Sequence, residues 1–221
     1  MQDLSFVIPT YDWWASPFYG IGMKIYDMMA GKLGLGKSII ISKSETEKLI
    51  PNVNKNGLRG GVIYHDGQFD DSRMAITLAL SSDSKKTAII NYCSVDGLIK
   101  KNDEVVGVNF TDTINSKKYE VKSKVVINAT GVFAENIIRM DQPKIEKMIQ
   151  PSQGVHIVLN RKFLKGKHAI LIPQTSDGRV LFAVPWKNYV VVGTTDTHIK
   201  NASEEPKALK YEIEFILKNA A

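Results

Sequence analysis

The 221-residue sequence predicts an α+β fold: a mixed, largely antiparallel sheet with helices on one face, and a β-meander as a smaller layer. Three observations predict it. Residues 151–196 hold three strand-like blocks, PSQGVHIVL, DGRVLFAVPW and VVGTTDT. Residues from about 87 to 122 alternate apolar and polar positions in short segments joined by polar turns, the pattern of a meander. Ile21, Ile25, Met28 and Met29 fall at i, i+4, i+7 and i+8, one face of a helix.

The elements follow in order. FVIPT and DWWASP give an extended, Pro- and Trp-rich entry, then a helix runs from Pro17 to Leu33 and stops near Gly34 and Gly36. SIIIS is a short apolar strand, and SETEKLIP is a capped turn of helix ended by Pro51. GLRGGVIYHDGQFDD reads as a strand and a Gly turn, with Asp70 and Asp71 capping the helix SRMAITLALSS. AIINYCSV, VVGVNFTDT and KKYEVKSKVVINATG form the meander, and AENIIRM is helical. After the 151–196 sheet, Ser203 is the candidate N-cap of a last helix, whose face is Leu209, Ile213 and Ile216. The chain stops at Ala221 inside that pattern, so it reads as a fragment.

Bulk composition narrows the function classes. A 43% hydrophobic, 24% charged chain is an ordinary globular protein. Its net charge of +6 suits an anionic substrate or an anionic membrane face. The lysines are scattered rather than gathered in a stripe with aromatics, so nucleic acid is not an expected partner. One cysteine, Cys93, excludes an internal disulfide framework. The first residues lack the basic and apolar regions of a signal peptide, and no apolar run reaches membrane-spanning length. The expected location is cytoplasmic, with peripheral contact at the inner face of the cell membrane.

GKLGLGKS, residues 31–38, matches the P-loop pattern. That loop works only where a strand precedes the glycines and a helix N-terminus follows to meet the phosphates. Here a helix precedes and a strand follows, so the match is rejected.

KVVINATG, residues 124–131, reads as an apolar strand ending in a small-residue turn, either a plain β–α turn or one that lets backbone approach a ligand closely. His156 lies between Val155 and Ile157 on a strand. By pattern alone it is either a satisfied core histidine or a proton acceptor aimed into a site, because a buried unpaired imidazole is costly. Asn128–Gly131, PSQGVHIVL, AVPW and VVGTTD together resemble the FAD-dependent glycerol-3-phosphate dehydrogenases and the related glycerophosphate oxidases.

The resemblance implies a central fragment of a D-amino-acid-oxidase-like FAD-dependent oxidoreductase. Residues 1–80 would be the first part of the cap or substrate region with a crossing helix. Residues 81–145 would be the meander and return strand of the FAD domain, and 146–221 the substrate-facing sheet and the start of a helix. His156 would be the general base that takes the substrate's C2 hydroxyl proton. The backbone at Val95 and the turn Ala129, Thr130, Gly131 would touch FAD. FAD would belong to the full-length protein and would not be retained by this fragment. No metal is implied. The substrate would be a small phosphate compound, and quinone or oxygen the electron acceptor. The missing N- and C-terminal segments would supply the G-x-G-x-x-G turn and the phosphate clamp. Arg179, in the Asp177-Gly178 turn, reads as a hairpin residue, and His65 beside Asp66 as structural. The alternatives are another D-amino-acid-oxidase-type flavoprotein, or a stand-alone binding module without redox activity.

Overall fold

The computed structural model describes residues 2–83 and 87–220. The chain divides into two compact units. The first comprises Met1–Asp71, Gln153–Thr197 and Lys207–Ala221, and the second Ser72–Ser152 and His198–Pro206.

The strands are β1 (Gln2–Thr10), β2 (Ile39–Ser42), β3 (Gly60–Gln68), β4 (Cys93–Lys101), β5 (Glu104–Asp112) and β6 (Lys118–Lys122). They continue as β7 (Ser152–Gln153), β8 (His156–Asn160), β9 (Ala169–Ile172), β10 (Leu181–Trp186), β11 (Tyr189–Gly193) and β12 (Thr197–His198). The helices are α1 (Ala15–Ala30), α2 (Lys43–Leu49), α3 (Asp71–Asp83), α4 (Ala134–Asp141) and α5 (Lys210–Ala220).

The first unit is built on a seven-stranded sheet of order β2-β3-β1-β9-β10-β11-β8. Only the β1–β9 pairing is parallel, so the sheet is mixed and largely antiparallel, as expected. Alternation along the strands splits their side chains between two apolar layers. Val7, Leu181, Val190 and Val192 pack with Ile50 after α2 and with Ile216 of α5. Phe6, Ile8, Val62 and Tyr64 pack with Tyr19 and Met23 of α1. Helices therefore lie on both faces of the sheet, not on one as expected, because the alternating strands present an apolar layer on each side. Pro185, which has no N–H to give a ladder, sits beyond the last β9–β10 pair, and its carbonyl accepts from Gln68 Nε2 at 3.0 Å.

The periodicity of α1 is helical, as expected, but its apolar side is not a core face. Ile21, Ile25, Met28 and Met29 are exposed, and the packing residues are Tyr19 and Met23. The α2 cap is Ser42: its Oγ accepts from the Glu45 N–H, and Glu45 Oε2 accepts from the Ser42 N–H at 2.8 Å.

The last helix corrects its expected start. It begins at Lys210, and Ser203 is not its cap. Glu212, 1% exposed, instead receives the Leu209 N–H from inside the helix at 2.8 Å. The same carboxylate accepts from Gln153 Nε2 (3.0 Å), Thr195 Oγ1 (3.2 Å) and Thr197 Oγ1 (2.6 Å). Burial pushes this carboxyl up. The bonds from Thr197, Leu209, Gln153 and Thr195 outweigh that and hold it below the usual carboxylate range.

In the second unit β4, β5 and β6 form the expected meander, with Phe110 stacked on Tyr119 at 5.4 Å. Lys100 of β4 pairs with Asp141 of α4 at 2.9 Å. The strand expected across 124–130 is absent. That segment is irregular, with Val125 and Ile127 exposed, because no neighbouring strand among the described residues completes its backbone hydrogen bonds. Residues 88–92 are likewise not in a strand.

Leu181 is fully buried in the layer under α5, so Leu181→Ala should cost about 3 kcal/mol in urea unfolding. The folded carboxyl of Glu212 lies below its unfolded value of about 4.3. Its contribution is therefore complete above that pH and is lost as pH falls through the folded value. Urea midpoints should drop on acidification below about pH 5, and Glu212→Gln should flatten that slope while lowering stability at neutral pH.

Candidate active site

β8 is the edge strand of the large sheet, and its burial alternates strictly. Ile157 and Leu159 turn into the layer under α5, so His156, Val158 and Asn160 turn to the opposite face. His156 is exposed there and is not a core histidine. Among the described residues its imidazole has no hydrogen-bond partner. The apolar neighbours leave both readings open; strand alternation removes the core reading.

The imidazole lies against the neighbouring strand. His156 is in register with Gly193 of β11. A Cβ at Gly193 would overlap the His156 ring at Cδ2 and stand 2.8 Å from Cγ. Glycine at 193 is thus what gives the ring its seat. The strand ends are also tied together: the Val155 N–H donates to Thr195 Oγ1 at 3.0 Å, and Thr194 Oγ1 donates to the Val155 carbonyl at 3.2 Å. GTTDT, read from sequence as a structural strand end, is what frames the histidine.

The other candidate residues lie in the second unit. Ala129, Thr130 and Gly131 form an exposed turn leading through a short 3₁₀ segment into α4. Asn128 braces it, its Oδ1 accepting from Thr130 Oγ1 at 2.8 Å and its Nδ2 donating to the Ala134 carbonyl at 2.9 Å. Gly131 has φ +56°, a conformation that favours glycine, and nothing lies within 4 Å of where a Cβ would stand. An open, braced, small-residue turn at the start of a helix suits close approach of an extended ligand such as FAD. Val95 is half-buried on β4, opposite Phe110, at a register shift before Gly97. A bulge there re-aims the backbone.

Geometry bears on three further sequence readings. Arg179 is occupied: it pairs with Asp177, donates to the Asp196 carbonyl at 3.1 Å and lies over the Phe215 ring at 5.0 Å. It holds the Asp177 carboxyl well below the usual carboxylate range. His65 pairs with Asp3 on the adjacent strand at 3.2 Å rather than with Asp66, whose carboxylate accepts the Gly67 N–H at 2.7 Å. In the P-loop-like run, Ser38 gives both its N–H and its hydroxyl to Asp27, each at 2.7 Å, and a strand follows. A serine so engaged is not a phosphate ligand. No cluster of potential metal ligands occurs among the described residues.

The side chain that sequence reasoning missed is Glu212. Its signal was its place three residues after Leu209, the residue before the helix, and the helix start was itself misplaced.

Comparison with known proteins gives consistent matches. The chain is 39% identical over 220 residues to the mitochondrial glycerol-3-phosphate dehydrogenase of Mesocricetus auratus, covering 97% of this chain and 30% of the relative. It is 38% identical over 225 residues to the corresponding Schizosaccharomyces pombe protein, covering 97% of this chain and 35% of that one. The chain thus spans about a third of the length of these relatives. Among solved structures, the Bacillus halodurans glycerol-3-phosphate dehydrogenase complexed with FAD superposes with a TM-score of 0.83 at 24% identity, over 99% of this chain and 39% of that one. The FAD-bound L-alpha-glycerophosphate oxidase of Mycoplasma pneumoniae gives 0.73 at 20% identity, over 98% and 56%. The family model for FAD dependent oxidoreductases (DAO) matches residues 17–221. The chain belongs to the DAO family of FAD-dependent oxidoreductases.

Proposed function

We propose that the chain is the central part of an FAD-dependent enzyme that oxidises sn-glycerol 3-phosphate to dihydroxyacetone phosphate. The observation that carries the chemistry is the exposed His156 imidazole seated on Gly193. The identity of 39% to a glycerol-3-phosphate dehydrogenase supports the substrate.

Oxidation of a secondary alcohol removes a hydrogen with its electron pair from C2 and a proton from the hydroxyl. When bound, FAD supplies the redox chemistry, taking that hydrogen and electron pair. His156 takes the hydroxyl proton, for which an imidazole is suited near neutral pH. Gly193 keeps the ring's seat clear, and the Thr195 link to the Val155 N–H fixes the strand end that carries it. The turn Ala129, Thr130, Gly131 and the backbone at Val95 would hold the cofactor. Quinone or oxygen would be the electron acceptor. The net charge of +6 favours a phosphate substrate and attraction to an anionic membrane face. No helix among the described residues is long and apolar enough to cross a membrane.

In the full-length protein, His156→Asn should slow flavin reduction by glycerol 3-phosphate about 10²- to 10⁴-fold with FAD content unchanged. A wild-type rate in that variant would remove His156 from the mechanism. Gly193→Ala should slow the same step by displacing the ring. Glycerol 3-phosphate should reduce the flavin while glycine and sarcosine do not; the reverse preference would reassign the enzyme to amine oxidation. The isolated 221-residue chain should purify without flavin absorbance.

A further inference from the structure

The Glu212 carboxylate sits at the end of a directed chain of hydrogen bonds that begins one residue before His156. The Thr195 hydroxyl has a single hydrogen. Its oxygen accepts the Val155 N–H at 3.0 Å, and its hydrogen goes to Glu212 Oε1 at 3.2 Å. Thr195 also lies two residues past Gly193, on which the imidazole rests. One threonine therefore joins the strand that carries the ring to the strand that seats it, and a buried glutamate on α5 holds that threonine.

The partner set demands a carboxylate. Glu212 Oε1 faces the Thr195 and Thr197 hydroxyls, and Oε2 faces the Leu209 N–H and Gln153 Nε2. All four are donors, and an ionised carboxylate accepts at both oxygens. A glutamine must turn its NH₂ toward one pair. Facing the threonines, it gives Thr195 a donor where an acceptor is needed. Facing Leu209 and Gln153, it opposes donor to donor.

We propose that Glu212 is a positioning residue for His156: acting through Thr195, it fixes the spacing of the β8 start and the β11 end where the imidazole lies. The proposal rests on the reading of His156 as the base. Thr197 supplies an internal control, since it donates to the same carboxylate at 2.6 Å and has no bond to Val155.

The test uses the full-length flavoprotein with Glu212→Gln, Thr195→Val and Thr197→Val, each also combined with His156→Asn. Four quantities are read: FAD content, Tm, the limiting rate of flavin reduction with its KM for glycerol 3-phosphate, and amide hydrogen exchange across residues 153–158 in the unreduced enzyme. Glu212→Gln and Thr195→Val should each lower the limiting rate about 10- to 100-fold. KM should stay within about twofold, FAD content should be unchanged, and exchange at the Val155 amide should be faster. Thr197→Val should lower Tm and leave the rate per bound flavin intact. Added to His156→Asn, neither Glu212→Gln nor Thr195→Val should slow the reaction further, because a base that is gone cannot be mispositioned. If Glu212→Gln fails to fold, Thr195→Val carries the test alone. A wild-type rate per flavin in Thr195→Val or in folded Glu212→Gln, beside a slow His156→Asn, overturns the positioning role and leaves the base in place. A wild-type rate in His156→Asn overturns the underlying reading instead.

Discussion

The large sheet depends on one short parallel contact. β1 meets β9 only through Phe6 with Ala169 and Val7 with Ile170. On one side of that seam lie strands from residues 2–68, and on the other strands from residues 156–193. Val7 and Ala169 are fully buried, and Ser5 bonds His168 Nδ1 at 2.5 Å beside them. A parallel pair cannot close with a tight turn; it needs a crossover, and here Ser72–Ser152 of the second unit falls between its two partners along the chain. Burial at the seam must therefore offset the entropy of closing a very long loop. Apolar side chains on both faces of the sheet supply it, because each strand at the seam feeds two cores.

The same asymmetry sets up the site. The face of β8 that meets α5 is apolar and packed, while the other face carries His156 in the open. α5 thus serves two ends. Ile216 fills the core, and Glu212 gathers donors from β7, from the turn after β11 and from the helix start. Burying a charge is tolerable only where hydrogen bonds replace its water. Glu212 meets that condition, and in doing so it ties the ends of two strands to a helix.

Much of this was legible in sequence. Period-2 alternation located β5 and β6, and the strand-like blocks of 151–196 located β8, β10 and β11. The order of helix, glycines and strand at 31–38 was enough to reject a phosphate loop. Other readings failed for a common reason: they required knowing a neighbour. KVVINATG has the composition of a strand but lacks a ladder partner among the described residues. Ser203 has the chemistry of a cap, yet Glu212 and its threonines start the helix at Lys210. His65 stood beside Asp66 in sequence, but adjacent strand residues point to opposite faces, and Asp3 across the ladder took its place.

The sequence by itself determined most element types, the family resemblance and the placing of His156 on a strand. Those follow from local periodicity and from motifs within a few residues of each other. Tertiary structure decided that His156 faces outward, that Gly193 makes room for its ring, and that a carboxylate 56 positions further along the chain accepts from the threonine bonded to its strand end. Register across strands and the direction of a shared hydroxyl hydrogen depend on which segments become neighbours in space, and no local pattern encodes that.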